Sequence, residues 1–103
     1  MIMTRVGVNT MIKIVAKGIL KPGAKEEYLK FAKELVTETR KEKGCISYSI
    51  YEDINDASIL TMLEEWVDEE AIKQHNNSEH VLKIVPELRK RRESVEINLY
   101  KEV

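Results

Sequence analysis

The hydrophobic positions of the chain change from a strand-like to a helix-like period, and back, several times. Residues Met11 to Leu20 are rich in β-branched side chains, and Lys21-Pro22-Gly23 ends this first predicted strand, because proline cannot donate to a strand ladder. Ala24 to Lys43 follows as a predicted helix with one apolar stripe. That stripe consists of Tyr28, Phe31, Ala32, Leu35, Val36 and Thr39. Gly44 is the expected left-handed stop of the helix.

The middle of the chain predicts a hairpin of two strands. Cys45 to Asp53 alternates between apolar and polar side chains, which is typical of a half-buried strand. Residues 54–57 read Ile-Asn-Asp-Ala and form the expected turn, so the strand from Ser58 to Val67 is antiparallel to the one before it.

The last third of the chain predicts two helices and a final strand. Asp68 caps a short helix, and Asn76-Asn77-Ser78 interrupts it. Ser78 caps a further helix in which Pro86 is expected to produce a kink or a restart. Val95 to Tyr100 alternates again and is the last predicted strand.

This order is β-α-β-β-α-β, the α+β ferredoxin-like arrangement of a four-stranded antiparallel sheet with helices on one face. The third strand is apolar on both of its faces, whereas a sheet that is wet on one side alternates more cleanly. One face carries Leu60, Met62 and Trp66, and the other carries Ile59, Leu63 and Val67. We therefore expect a homodimer in which a second subunit covers the helix-free face.

Composition narrows the class of protein further. The chain has 103 residues, which fits a single domain over residues 11–103 after a loose leader at 1–10. Its 17 basic and 18 acidic residues give a net charge of −1, which argues against partners such as nucleic acid or an anionic membrane. Cys45 is the single cysteine, so the chain has no internal disulfide and no Cys/His spacing typical of a zinc site. We therefore expect a cytoplasmic protein. We also expect no transmembrane span.

Candidate chemistry concentrates between Glu64 and His80. His75 is the candidate catalytic base, because an imidazole titrates near neutral pH, although it could instead bond a free carbonyl at a helix end. His80 is the candidate partner of His75, and its alternative role is a contact that fixes the loop before it. Trp66 could form a flat wall of a substrate site or could be a core aromatic.

Two further side chains are candidates for substrate binding. A partly desolvated Glu64 could act as an acid or base, but a salt bridge to Lys13, Lys17 or an arginine is the alternative for it and for Glu65. Tyr48 could hydrogen-bond a ligand or be a core residue. The run Arg89-Lys90-Arg91-Arg92 is expected to be a solvated helix end, with phosphate binding as the alternative.

The chain resembles the antibiotic biosynthesis monooxygenase family of dimeric α+β barrels. The resemblance covers Met11 to Lys101 and rests on three strings of residues. These are Lys21-Pro22-Gly23, then Gly44-Cys45-Ile46-Ser47-Tyr48, and above all Glu64-x-Trp66-x-Asp68-x-x-Ala71-x-x-x-His75-x-x-Ser78-x-His80. It implies a dimer with sheets packed face to face and a pocket between sheet and helices in each subunit.

The resemblance also implies several activities. Members oxygenate phenols or quinols without metal or flavin, some degrade haem, and at least one isomerises a small phosphorylated signal. The haem-degrading members use an asparagine, a tryptophan and a histidine at positions that here hold Ala16, His75 and Val85, which argues against haem degradation.

The sequence is therefore compatible with three functions. The first is a monooxygenase that needs no cofactor or metal and acts on a small electron-rich aromatic, such as a quinol or polyphenol, with molecular oxygen. The second is an isomerase or lyase of a small oxygenated metabolite, and the third is a non-catalytic ligand-binding dimer. Filling of the pocket by the protein's own side chains around His75 would favour the third.

Overall fold

A computed structural model of the protein describes residues 9–103, which form a four-stranded antiparallel sheet and three helices. The elements are β1 Ile12–Leu20, α1 Lys25–Thr39, β2 Cys45–Asp53, β3 Asp56–Trp66, α2 Glu69–Asn76, α3 Glu79–Arg91 and β4 Arg92–Tyr100. The strand order is β2-β3-β1-β4, which confirms the predicted ferredoxin-like fold. Most of the predicted leader lies outside the described residues; within them, the Thr10 hydroxyl donates to the Val67 carbonyl at 2.7 Å.

The two short helices begin where their capping residues predict. The Asp68 carboxylate accepts a hydrogen bond from the Ala71 backbone N–H at 2.9 Å, and the Ser78 hydroxyl accepts one from the Val81 N–H at 3.3 Å. The helix α3 continues through Pro86 to Arg91, so the expected restart at this proline does not occur.

The predicted role of Gly44 is wrong. Helix α1 already ends at Thr39, and among the described glycines only Gly23 has a positive φ, of 76°. Gly44 is instead a point of close approach, because a Cβ atom there would lie 2.3 Å from the Cβ of Ala71 on α2. The absence of a side chain allows α2 to pack directly against the start of β2.

The core lies between the helices and one face of the sheet. Trp66, Ile84 and Thr39 are the largest fully buried side chains. The opposite face, which none of the three described helices covers, carries exposed apolar side chains, including Leu63 at 42% exposure. Within residues 9–103, no helix has both the length and the apolar character that crossing a bilayer requires.

Candidate active site

A cavity of about 470 Å³ lies between the sheet and the helices. Its walls are mostly apolar and come from β1, β3, β4 and all three helices. Four polar side chains of the sheet and α2 line it, namely Tyr48, Glu64, His75 and Asn76, and two arginines line it as well, Arg89 and Arg92. The protein's own side chains therefore leave space around His75, and an apolar cavity with a few polar groups is the usual form of a small-molecule site.

His75 is buried, with 6% of its surface exposed, and its ring is oriented by a carboxylate. Its Nδ1 lies 2.7 Å from Oε2 of Glu42. A carboxylate only accepts hydrogen bonds, so Nδ1 carries the proton and Nε2 keeps its lone pair. Within residues 9–103, Nε2 makes no hydrogen bond to the protein. Burial lowers the pKa of His75, although Glu42 opposes this effect, and the imidazole is therefore a neutral acceptor near neutral pH.

His80 contacts the same carboxylate oxygen as His75. Its Nε2 is 2.6 Å from Oε2 of Glu42, and its ring centroid is 6.1 Å from that of His75. The two imidazoles are therefore brought together as predicted, but through Glu42 and not by direct contact. His80 is not among the residues that line the cavity, and it is joined to the site through its hydrogen bond to Glu42.

Glu42 is the functional candidate that the sequence reasoning missed. It was included in the predicted first helix, whereas it lies between α1 and β2, 33 residues from His75 and 38 from His80. The ligand atoms of these three side chains lie within 4.8 Å of one another, and such a set could hold a transition-metal ion. Direct hydrogen bonds join them in the structure.

Glu64 faces the cavity as a buried carboxyl group, with 8% of its surface exposed. The indole Nε1 of Trp66 donates a hydrogen bond to its Oε1 at 2.8 Å. Burial nevertheless dominates and raises the pKa of Glu64 to about 7. Glu65, on the opposite face, pairs with Lys13 at 3.4 Å, so the salt-bridge alternative holds for Glu65 and not for Glu64.

Trp66 and Tyr48 support these groups from the sheet. Trp66 is fully buried and does not line the cavity, but its ring centroid lies 4.6 Å from that of His75. It therefore reaches the site through Glu64 and His75. Tyr48 pairs with Glu64 across β2 and β3 and lines the cavity directly. Burial raises the pKa of Tyr48, which keeps its hydroxyl neutral.

The basic run at the end of α3 divides between solvent and cavity. Arg91 pairs with Glu27 at 3.1 Å and with Glu87 at 2.9 Å, and Lys90 is exposed. Arg89 and Arg92 line the cavity, where Arg89 is exposed and Arg92 is partly buried. The predicted solvated helix end therefore describes Arg89 and Lys90 but not Arg91 and Arg92.

Comparison with known proteins agrees with this architecture. The model of the antibiotic biosynthesis monooxygenase family matches residues 11–87, which is well over half of the chain. The chain belongs to this family. YcnE of Bacillus subtilis, which bears the provisional name of a monooxygenase, is 39% identical over 70 residues, or 68% of this chain and 74% of YcnE. Rv0793 of Mycobacterium tuberculosis, with the same provisional name, is 30% identical over 71 residues, 69% of each protein.

Solved structures show the same fold. A conserved protein from Methanosarcina mazei matches with a TM-score of 0.90 and 41% identity, over 92% of this chain and 95% of that one. A structure described as an antibiotic biosynthesis monooxygenase matches with a TM-score of 0.85 and 30% identity, over 89% of this chain and 98% of that one. Family and fold are thus established together.

Proposed function

We propose that the protein is a cofactor-independent monooxygenase of a small electron-rich aromatic, such as a quinol or polyphenol. The observation that carries this proposal is the bond between Glu42 and His75 at the edge of an apolar cavity. Glu42 fixes Nδ1 as the protonated nitrogen, so Nε2 is available to accept a proton from a substrate hydroxyl. Membership in the antibiotic biosynthesis monooxygenase family supports the same reaction class.

The reaction needs no external reductant, because the aromatic substrate supplies the electrons. His75 Nε2 takes the phenolic proton, and the phenolate transfers electrons to molecular oxygen. Oxygen then bonds to a ring carbon that carries hydrogen, ortho or para to that hydroxyl group, and the peroxide takes back the phenolic proton from His75 to form a hydroperoxide. The C–H proton of that carbon combines with the distal O–H of the hydroperoxide and leaves as water, so phenol and O₂ become quinone and H₂O. The apolar walls exclude water from the anionic intermediate.

Glu64 is the second proton-transfer group in this proposal. With a pKa of about 7, it is protonated in a large fraction of molecules at neutral pH. A neutral carboxyl group can donate a hydrogen bond or a proton to the departing peroxide oxygen. Tyr48, adjacent to it on β2, adds a hydroxyl donor that orients the substrate.

Oxygen uptake with a panel of quinols and polyphenols tests the proposal. His75→Ala should reduce turnover by roughly 10²- to 10⁴-fold, the usual contribution of a positioned base. Lys73→Ala, an exposed change on the same helix, is the matched control and should leave turnover intact. Protein treated with a chelator should keep full activity. Unchanged turnover of His75→Ala, or loss of activity after chelation, would contradict the proposal.

One observation favours isomerase activity as the second candidate. His75 and Glu64 line one cavity, and two such groups could move a proton between two atoms of a small oxygenated metabolite. Turnover that continues without oxygen would select this alternative.

We also propose that the protein is a homodimer formed through the helix-free face of the sheet. Exposed apolar side chains on that face support this, since a monomer would leave them in water: Ile19, Tyr51, Leu63 and Tyr100. Sedimentation at micromolar concentration should give twice the mass of the chain, and Leu63→Lys should shift it toward the monomer. A monomeric wild-type protein would refute the dimer.

A further inference from the structure

Arg92 is a guanidinium group placed against the cavity without an acidic partner. Its Nε is buried and makes no hydrogen bond within the described part of the chain. Its Nη1 makes one long contact, 3.4 Å, with the Tyr28 hydroxyl. No carboxylate of residues 9–103 forms an ion pair with it. The preceding residue, Arg91, differs in having two carboxylate partners, Glu27 and Glu87.

A partly buried cation without a counter-charge is unfavourable, because burial removes water and nothing in the protein replaces it. An arginine of this kind is stabilised when a ligand supplies the negative charge. Its planar fork of N–H donors matches a carboxylate or a phosphate. Arg89 lines the same cavity but is exposed, so the buried positive charge there comes from Arg92.

The sheet register separates Arg92 from the proton-transfer groups. Glu64 pairs with Ile14 of β1, whereas Arg92 pairs with Leu20 at the other end of the same strand. Six residues of strand correspond to roughly 20 Å between the two backbone positions. Both side chains line the cavity. A ligand that contacts both ends must therefore be longer than a single aromatic ring.

We propose that Arg92 and the Tyr28 hydroxyl form an anion subsite, and that the substrate is an aromatic carboxylate whose reacting hydroxyl lies at the opposite end, beside His75. This proposal names the substrate class of the proposed monooxygenase, and it rests on that proposed function for the role of the hydroxyl end of the ligand. A carboxylate fits better than a phosphate, because one buried guanidinium balances one negative charge and a phosphate carries nearly two at neutral pH. Val95 and Ile97 of β4 supply apolar contacts for the rings between the two ends.

A matched pair of ligands tests the subsite without any turnover. Calorimetry under nitrogen would compare 6-hydroxy-2-naphthoate with its neutral amide, 6-hydroxy-2-naphthamide. The full-length protein should bind the carboxylate about ten- to a hundredfold more tightly, the usual range for a charge-assisted pair. Arg92→Met should abolish this preference. Lys90→Met removes one exposed positive charge two residues away and should leave the preference for the carboxylate unchanged.

The outcomes separate this subsite from the proposed reaction. Thermal melting should show that the Arg92→Met variant is at least as stable as wild type. If the methionine variant does not fold, the Arg92→Gln variant is used for the binding measurement. Equal affinity for the two ligands, no binding of either, or the same preference in both Arg92 variants would overturn the subsite. A carboxylate preference in a wild-type protein that takes up no oxygen with any quinol or polyphenol would leave the subsite standing and remove the oxygenase.

Discussion

Replacing Glu64 by glutamine should make the protein more stable at alkaline pH and not at acidic pH. The carboxyl group has a pKa of about 7 in the folded protein, against an ordinary value of 4.5. Because the folded state holds this proton more tightly, the stabilisation is complete below pH 4.5 and is lost as the pH rises through 7. Glutamine has no such proton, and its amide oxygen can still accept the Trp66 hydrogen bond.

The magnitude follows from the size of the shift. About 2.5 pKa units at 1.36 kcal/mol each correspond to about 3 kcal/mol of unfolding free energy. Urea denaturation at fixed protein concentration, repeated between pH 4.5 and 8.5, measures this quantity for both proteins. The difference between Glu64→Gln and wild type should grow by about 3 kcal/mol across this range, while contributions from all other groups largely cancel.

Glu65→Gln is the matched control, because it removes the neighbouring carboxylate from the opposite face of the sheet. Its surface ion pair with Lys13 should contribute under about 1 kcal/mol. A Glu64→Gln difference that stays constant with pH would mean that folding does not raise the pKa of Glu64. The reasoning from burial, and the acid role of this carboxyl group, would then be wrong.

Three further changes test other parts of the structure. Glu42→Gln should lower oxygen uptake by about tenfold or more, because an amide can reverse the tautomer of His75. Glu38→Gln, which changes an exposed ion pair with a lysine, is the control and should leave oxygen uptake unchanged. Gly44→Ala should destabilise the protein by about 1–3 kcal/mol in urea denaturation, since the new methyl group overlaps α2. Trp66→Phe should raise the pKa of Glu64 further, because the indole hydrogen bond lowers it; NMR titration of the carboxyl carbon measures this.

The fold could be predicted because its signals are local. The two-residue period of Cys45–Asp53, the caps at Asp68 and Ser78, and the break at residues 21–23 each depend on neighbours in sequence. Gly44 was misinterpreted because two different requirements, a left-handed turn and a close packing contact, select the same residue. Only the position of Ala71 in three dimensions distinguishes them.

The site was less predictable, because its contacts join distant parts of the chain. His75 and His80 could be selected as rare titratable residues near one helix break. Nothing in the sequence distinguishes Glu42 from the other acidic residues of its region, since its partners lie 33 and 38 positions away. Arg92 likewise looked like part of a solvated run, and its burial depends on how β4 follows α3 beside the cavity.

One physical effect sets the protonation of both groups that we propose to transfer protons. Burial disfavours the charged form of any group, so it lowers the pKa of the imidazole of His75 and raises the pKa of the carboxyl group of Glu64. Near neutral pH the same cavity therefore holds an uncharged proton acceptor and a carboxyl group that is protonated in about half of the molecules. Trp66 lies against both, with its ring beside His75 and its N–H on Glu64. A change that admits water to the cavity should thus raise the pKa of His75 and lower that of Glu64, so that both groups move toward their charged forms together even if the change touches neither.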